Sequence, residues 1–401
     1  MNHSKNNFSR RHFIKALAGS SLIGTFAPAF SFAVPNSGAN KKLVVIELSG
    51  ANDGLNTLVP YANDTYYKVR PKIGIAPNKV LKIDDGYGFN PGMKAFRELF
   101  ANGQMAVVHG CGYAQPSLSH FTSMAYWHTG VPNGGERYGW LGRLSDVLDG
   151  THRANFLVNI DERQSLAVTA KDHMPLVFDD PDRFIRKGLY QSRSLLSMDH
   201  QLNGSSEVLD YLNRADMNAR DASQKIKAAW DGYKTTVDYG INPMGLNKIA
   251  AMIAAGFDSR IYYTAYRHNA FDTHVQQVNL HQRLLMYVSD AIAAFMKDLK
   301  RLGHSDDVTI LVFSEFGRRV AENTSLGTDH GTANHMYVIG HNVKGGHYGV
   351  PPSLTDLDEG GNMKYTTDFR RVYASVIENW FGEKDSQSIL YKNFDKFNFW
   401  G

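Results

Sequence analysis

Apolar and polar positions follow two different periods along this chain. Short, continuous apolar runs bounded by charge or glycine recur at Lys42–Ser49 (KLVVIELS), Met105–Gly110, Phe156–Ile160, Arg260–Tyr266, Asp307–Ser314 and Met336–Gly340. Runs of this length, rich in β-branched and aromatic residues, suit strands covered on both faces by helices. Between several of them the apolar residues return every three or four positions. The clearest such stretch is Gln277–Leu302, where Leu284, Leu285, Val288, Ile292, Phe295, Met296, Leu299 and Leu302 mark one helical face and Gly303 supplies the stop. Phe369–Phe381, ended by Gly382, is a second. Strands alternating with helices predict an α/β fold with a mostly parallel central sheet flanked by helices. From about 181 to 244 the pattern turns polar and helical, which predicts a helical insertion.

The first 33 residues break this pattern. SRRHFIK, Ser9 to Lys15, sets an arginine pair ahead of an apolar run from Ala16 to Phe32, and that run is interrupted by Gly19, Gly24 and Pro28 before the small-x-small site SFA. This predicts a twin-arginine signal peptide over residues 1–33, cut after Ala33, with residues 34–401 as one exported domain. A retained membrane anchor is the alternative. The expected partner is the twin-arginine translocase and the expected destination the periplasm or the medium, with no stable membrane span after processing. That route carries folded proteins, so a metal can be inserted before export, which raises the expectation of one.

Charge changes the picture once the leader is set aside. Lys5, Arg10, Arg11 and Lys15 account for the whole formal net charge of +4, so the remaining chain is close to neutral. A neutral chain argues against nucleic acid as the partner. The only cysteine, Cys111, rules out an intramolecular disulfide, and stability must come from a core.

In open parallel sheets ligands bind beyond the carboxyl ends of the strands, so the polar residues that follow each run are the candidates. They are Asp53 in GANDGLN, Ser117, Ser119 and His120 in PSLSHF, Asp272 and His274 in FDTH, Glu315 in SEFGR, and Asp329 and His330 in TDHG. Each has a local reading, as a turn former or a helix cap. Together they would place several carboxylates in one cleft, where mutual repulsion calls for a bound cation.

The order of these motifs resembles the alkaline phosphatase and sulfatase superfamily. GANDGLN, PSLSHF, FDTH, SEFGR, TDHG and TTDFRRVYASVIENWFG together resemble more closely a twin-arginine-exported bacterial family of unknown function within it. The resemblance implies an alkaline phosphatase-like domain binding one or two divalent metals, Zn, Mn, Mg or Ca. Asp53, Asp272, His274, Asp329 and His330 are the implied ligands and Ser119 the nucleophile. It implies a hydrolase of phosphate or sulfate esters, acting on a small anionic ester or a sulfated or phosphorylated saccharide. A non-catalytic exported metal-binding or assembly protein is the other reading.

Several positions depart from the superfamily pattern. SEFG stands where typical members read SDHG, which makes Glu315 a substitute ligand or general base, and leaves His335, His341 and His347 as candidates for a final ligand. His120, Asn56 and Arg318 are candidate donors to a tetrahedral oxyanion, and Ser117 competes with Ser119. Cys111 is followed by GYAQPSL, which lacks the Cys-x-Pro-x-Arg spacing of formylglycine sulfatases.

Overall fold

The run Leu43, Val44, Val45, Ile46 is buried on both sides, because successive side chains of a strand point to opposite faces and here each face has its own core. In a computed structural model, which describes residues 40–184 and 222–400, this run forms the central strand of a large sheet. In chain order the strands are β1 (Lys42–Leu48), β2 (Leu58–Val59), β3 (Leu81–Lys82), β4 (Gly88–Phe89), β5 (Met105–Gly112), β6 (Leu157–Ile160), β7 (Leu176–Phe178), β8 (Ile261–Tyr266), β9 (Val308–Phe313), β10 (Asn334–Gly340), β11 (Gly346–Tyr348) and β12 (Thr367–Asp368). The main sheet runs β11-β5-β10-β9-β1-β8-β6-β7, with β12 also on β5, and β2, β4 and β3 form a small separate sheet.

Parallel pairing links β1 with β8 and β9, β6 with β7 and β8, and β5 with β11 and β12. In the main sheet, among the described residues, only β10 runs against its neighbours, β5 and β9. The sheet is therefore mostly parallel, as the apolar runs predict. The reversal of β10 has a local effect: the loop that enters this strand lies at the edge where the parallel strands end.

Among the described residues, the helices that flank the sheet include α1 (Lys94–Ala101), α2 (His120–Thr129), α3 (Trp140–Leu148), α4 (Leu246–Ala254), α5 (Gln277–Leu302) and α6 (Arg370–Ser375). Phe96, Ile249, Leu285, Ile292 and Phe295 from α1, α4 and α5 pack with Val44 and Ile46 on one face. Trp127, Trp140, Leu144, Val372 and Tyr373 from α2, α3 and α6 pack with Leu43 and Val45 on the other. α5 has the predicted bounds, and Gly303 (φ +78°) closes it in the left-handed conformation that glycine adopts at least cost. The predicted helix after Phe369 is α6 continued by one wide π turn, Val376–Trp380.

The predicted signal peptide lies outside the described residues, and so does the stretch 185–221 of the predicted insertion. The rest of that insertion packs against the domain. Residues 222–232 are helical and bury Ala222 and Ile226 in the α5 core, while Thr235, Tyr233 and Tyr239 donate hydroxyl hydrogen bonds to the buried Asp298 of α5. No helix among the described residues is long and apolar enough to cross a membrane.

Phe295 is fully buried between α5 and the sheet, so Phe295→Ala removes its transfer energy and leaves a cavity. We expect a loss of about 3–5 kcal/mol in chemical denaturation. A loss under about 1 kcal/mol would mean that this core does not depend on the α5 face.

Candidate metal centre

Four loops meet at the carboxyl edge of the sheet: residues 49–53 after β1, 113–119 after β5, 267–276 after β8, and 314–333 between β9 and β10. Their close approach depends on Gly50. It sits at φ +112°, and a Cβ there would lie 2.6 Å from the Asp272 amide nitrogen, so a side chain would push the β8 loop away.

The centre is built from the rings outward. His120, the first residue of α2, points its Nδ1 at Glu315 Oε1, 2.7 Å away. His330 points its Nδ1 at the Leu118 carbonyl, 2.8 Å away. A carbonyl can only accept, so His330 Nδ1 carries the hydrogen, and a carboxylate imposes the same tautomer on neutral His120. Both Nε2 lone pairs are then left facing one point, 3.1 Å apart. Asp272 closes the group, with Oδ2 3.5 Å from His120 Nε2 and Oδ1 3.3 Å from His330 Nε2. Two lone pairs and a carboxylate at such distances repel unless a proton or a cation lies between them. The ligand atoms of His120, Asp272 and His330 all lie within 4.8 Å of one another. Ligands bonded at 2.0–2.1 Å to a tetrahedral zinc are about 3.3 Å apart, so the donor set fits such an ion.

His274 adjoins this set. Its Nε2 is 2.9 Å from Asp272 Oδ1 and 3.0 Å from His330 Nε2, and its Nδ1 is 3.5 Å from Asp329 Oδ1. Asp329 is half exposed and accepts from Asn323 Nδ2 at 3.0 Å. The side chains of His120, Asp272 and His330 are 13%, 30% and 25% exposed, so the centre opens to solvent.

Other predicted residues take different places. Glu315 is fully buried behind His120: Oε1 accepts from the Gly50 amide at 2.9 Å as well as from His120, and Oε2 accepts from Ser314 Oγ at 3.0 Å. It therefore orients a ring as a carboxylate partner and does not face the open side as a ligand or general base. Phe316, where the superfamily pattern has histidine, stacks under His120 with ring centroids 5.0 Å apart. Asp53 is buried and paired with Arg70 at 2.7 Å, and it also accepts from the Leu55 amide and the Gln277 amide group. Asn56 accepts from Arg70 and Tyr66. Arg318, expected to bind an oxyanion, is buried and donates to the carbonyls of Gly50, Ala51, Phe271 and Thr328 and to Asp272 at 2.6 Å. It is thus a cation already in place beside the carboxylate.

None of the three histidines left open as a last ligand joins the set. His335 is buried within β10, His341 follows β10 at the opposite edge and meets Gln104 at 3.1 Å, and His347 on β11 lies 2.7 Å from His109 and 2.8 Å from Asp84. Ser119 is the N-cap residue of α2, yet its hydroxyl makes no capping bond. Ser117 Oγ accepts from the Ser119 amide at 3.2 Å.

Charges tune these groups. The hydrogen bond that His120 donates to Glu315 raises the His120 pKa against the effect of burial, whereas burial lowers that of His330. Burial alone would raise the Asp272 pKa, but Arg318 holds it below the ordinary carboxylate range.

The profile of the family described as "Protein of unknown function (DUF1501)" matches residues 40–390. The chain belongs to this family. No curated protein matches it. Solved structures similar to this DUF1501 protein include a protein in the alkaline phosphatase superfamily from Vibrio parahaemolyticus, at 11% identity and TM-score 0.37, over 77% of this chain and 62% of that one. Another is the lipoteichoic acid synthase LtaP from Listeria monocytogenes, at 11% identity and TM-score 0.43, over 89% of this chain and 76% of that one. A third is the phosphonate monoester hydrolase SpPMH from Silicibacter pomeroyi, at 11% identity and TM-score 0.37, over 86% and 73%. The DUF1501 chain thus spans less than two thirds of the Vibrio protein's length.

Sequence reasoning missed Arg70, Gln277 and the Leu118 carbonyl. Arg70 ends a short helix, Asp64–Val69, far along the chain from its other partners, the Val320 and Arg319 carbonyls. A backbone carbonyl leaves no mark in a sequence at all.

Burial by itself would raise the Asp53 pKa, but Arg70 and Gln277 hold it below the ordinary range. A depressed carboxyl contributes stability above its unfolded pKa of about 3.8 and loses it as pH falls through the folded value. Arg70→Met strands the buried carboxylate and is expected to cost about 3–5 kcal/mol at pH 7. That cost should shrink towards pH 4, where Asp53 can take a proton instead. Denaturation curves at the two pH values check this, and an equal cost at both would contradict the pairing.

Proposed function

We propose that this chain is an exported, metal-dependent hydrolase of phosphate or sulfate esters. In this reading His120, Asp272 and His330 hold one divalent ion, and Ser119 is the nucleophile. The observation that carries it is the convergence of two imidazole lone pairs, each fixed from behind by an acceptor, on a carboxylate at the open edge of the sheet. Metal-ligating histidines commonly have such a partner behind the ring. Two nitrogens and an oxygen suit zinc or manganese better than calcium, which takes six to eight oxygens. When bound, the ion would supply Lewis acidity to the reacting oxygens.

The remaining contributions come from the chain itself. Ser119 stands at the positive end of α2, directly before His120, and its hydroxyl is not spent on capping. It is thereby available to attack phosphorus or sulfur: the Ser119 O–P or O–S bond forms as the bond to the substrate's alcohol breaks, that alcohol leaves with the serine proton, and water then cleaves the Ser119 ester to release phosphate or sulfate. Glu315 and the Leu118 carbonyl hold the two rings in register. Arg318 offsets the charge of Asp272 and keeps it ionised. One ion, not two, is proposed here, because Asp53 is tied to Arg70 and Glu315 to His120. The open side admits a small anionic ester, such as a sulfated or phosphorylated saccharide. SRRHFIK supports export by the twin-arginine translocase.

His330→Ala should lower bound metal by one equivalent per chain and lower Tm with it, since binding to the folded state alone stabilises it. Elemental analysis and a thermal scan check this, and unchanged metal content would remove His330 from the centre. Ser119→Ala should lower turnover of a phosphate or sulfate ester about a hundredfold or more while keeping the metal, with Ser117→Ala near the wild type. Retention of the wild-type rate by Ser119→Ala would exclude it as nucleophile. A wild type that binds metal and turns over no ester in a broad screen would instead support a binding or assembly role.

A further inference from the structure

A second histidine and carboxylate cluster lies at the other edge of the sheet, where β6 and β7 begin. Asp146 is on α3, Asp149 follows its last turn, His152 precedes β6 and His173 precedes β7. His173 is buried, with its side chain 1% exposed. Its Nε2 is 3.2 Å from Asp149 Oδ2, and its Nδ1 is 2.9 Å from Asp146 Oδ1 and 3.5 Å from His152 Nδ1. We propose that Asp146, His152 and His173 form a structural site for a divalent transition metal of the zinc type.

The geometry repeats that of the first centre with different atoms. Asp149 stands behind the His173 ring and takes the Nε2 hydrogen, which leaves the Nδ1 lone pair directed at Asp146 and His152. Asp149 is itself held, by the Thr151 hydroxyl, the Arg153 amide and the Arg153 guanidinium. Asp146 is aimed by the backbone amides of Lys171, Asp172 and His173, which fix the carboxylate before any ligand arrives. One ligand atom each from Asp146, His152 and His173 lies within 4.8 Å of the others.

His152 is exposed and sits at φ +51°, a conformation that costs a non-glycine residue energy. An exposed ring gains little from a nitrogen–nitrogen contact of 3.5 Å. A shared cation would reward both the turn and the contact. Two nitrogens and one carboxylate oxygen match zinc, and the exposed side of His152 leaves room for a water as fourth ligand and for entry. Bound there, the ion would join the end of α3, the turn into β6 and the loop into β7, on the edge opposite the proposed catalytic centre.

The test uses the chain freed of metal by a chelator and then given zinc alone. Bound zinc and Tm are measured for the wild type, His330→Ala, His152→Ala and the double variant. His152 is exposed, so its replacement leaves the core intact. His330→Ala should keep one equivalent and a rise in Tm of about 3 °C at a hundredfold excess over Kd. His152→Ala should lose that equivalent, and the double variant should bind none. Equal binding and an equal rise in His330→Ala and the double variant would overturn the proposal. So would His330→Ala that binds no zinc, which would leave His173 held by protons between its two carboxylates. Wild type and His330→Ala binding alike would count against the first centre only.

Discussion

A fully buried carboxylate needs a partner for each oxygen, and Glu315 meets this demand by drawing three segments together. Its oxygens accept from the Gly50 amide after β1, from Ser314 at the end of β9 and from His120 at the start of α2. Dropping any of these partners takes a hydrogen-bond donor from a charge held in a low-dielectric interior. The first loop, the ninth strand and the second helix are thereby held in one arrangement. His120 can present its Nε2 to the open edge only because its Nδ1 is held from behind. The far end of the same helix is pinned in the same manner, by His128 on the buried Glu47 of β1 at 2.6 Å.

Arginine does much of the work expected of metal ions. Asp53 and Asp272 both need a compensating cation, and the structure gives Arg70 to the first and Arg318 to the second. Each guanidinium also donates to backbone carbonyls of neighbouring loops, so it fixes geometry as well as charge. What remains around Asp272 is nitrogen-rich, which separates this centre from an oxygen-lined cation cage.

Much of the architecture was legible because it depends on local periodicity. The bounds of α5 follow from apolar spacing and one glycine, and the six apolar runs are strands because burial on both faces demands mostly apolar side chains, with the few polar ones, such as Glu47 of β1, paired inside. The short strands β2, β3, β4, β7, β11 and β12 carry too few residues to show a period. The direction of β10 was not legible either, since strand direction is a property of pairing and not of composition. That direction decides the site: it brings the loop holding His330 to the open edge and sends His341 to the other. The motifs named the right loops, but the roles within them depend on hydrogen bonds between residues distant in sequence. Glu315 could be read as a ligand until Gly50 and His120 were seen to occupy its oxygens. The acceptor behind His330 is a main-chain carbonyl, which no residue pattern encodes.

The position of β1 has a consequence for how the chain becomes a protein. This strand is the first of the sheet to be synthesised and its most central, yet its neighbours are β8 and β9, with Leu43 paired to Ile261 and Lys42 to Val308. The middle of the sheet cannot close until more than two hundred further residues exist, and such distant pairings slow folding because loop entropy must be lost before any contact repays it. A nascent chain must keep an apolar strand unpaired through most of its elongation. Folding is consequently a late event for this protein, and partial chains are exposed to aggregation and to chaperones until β9 has emerged.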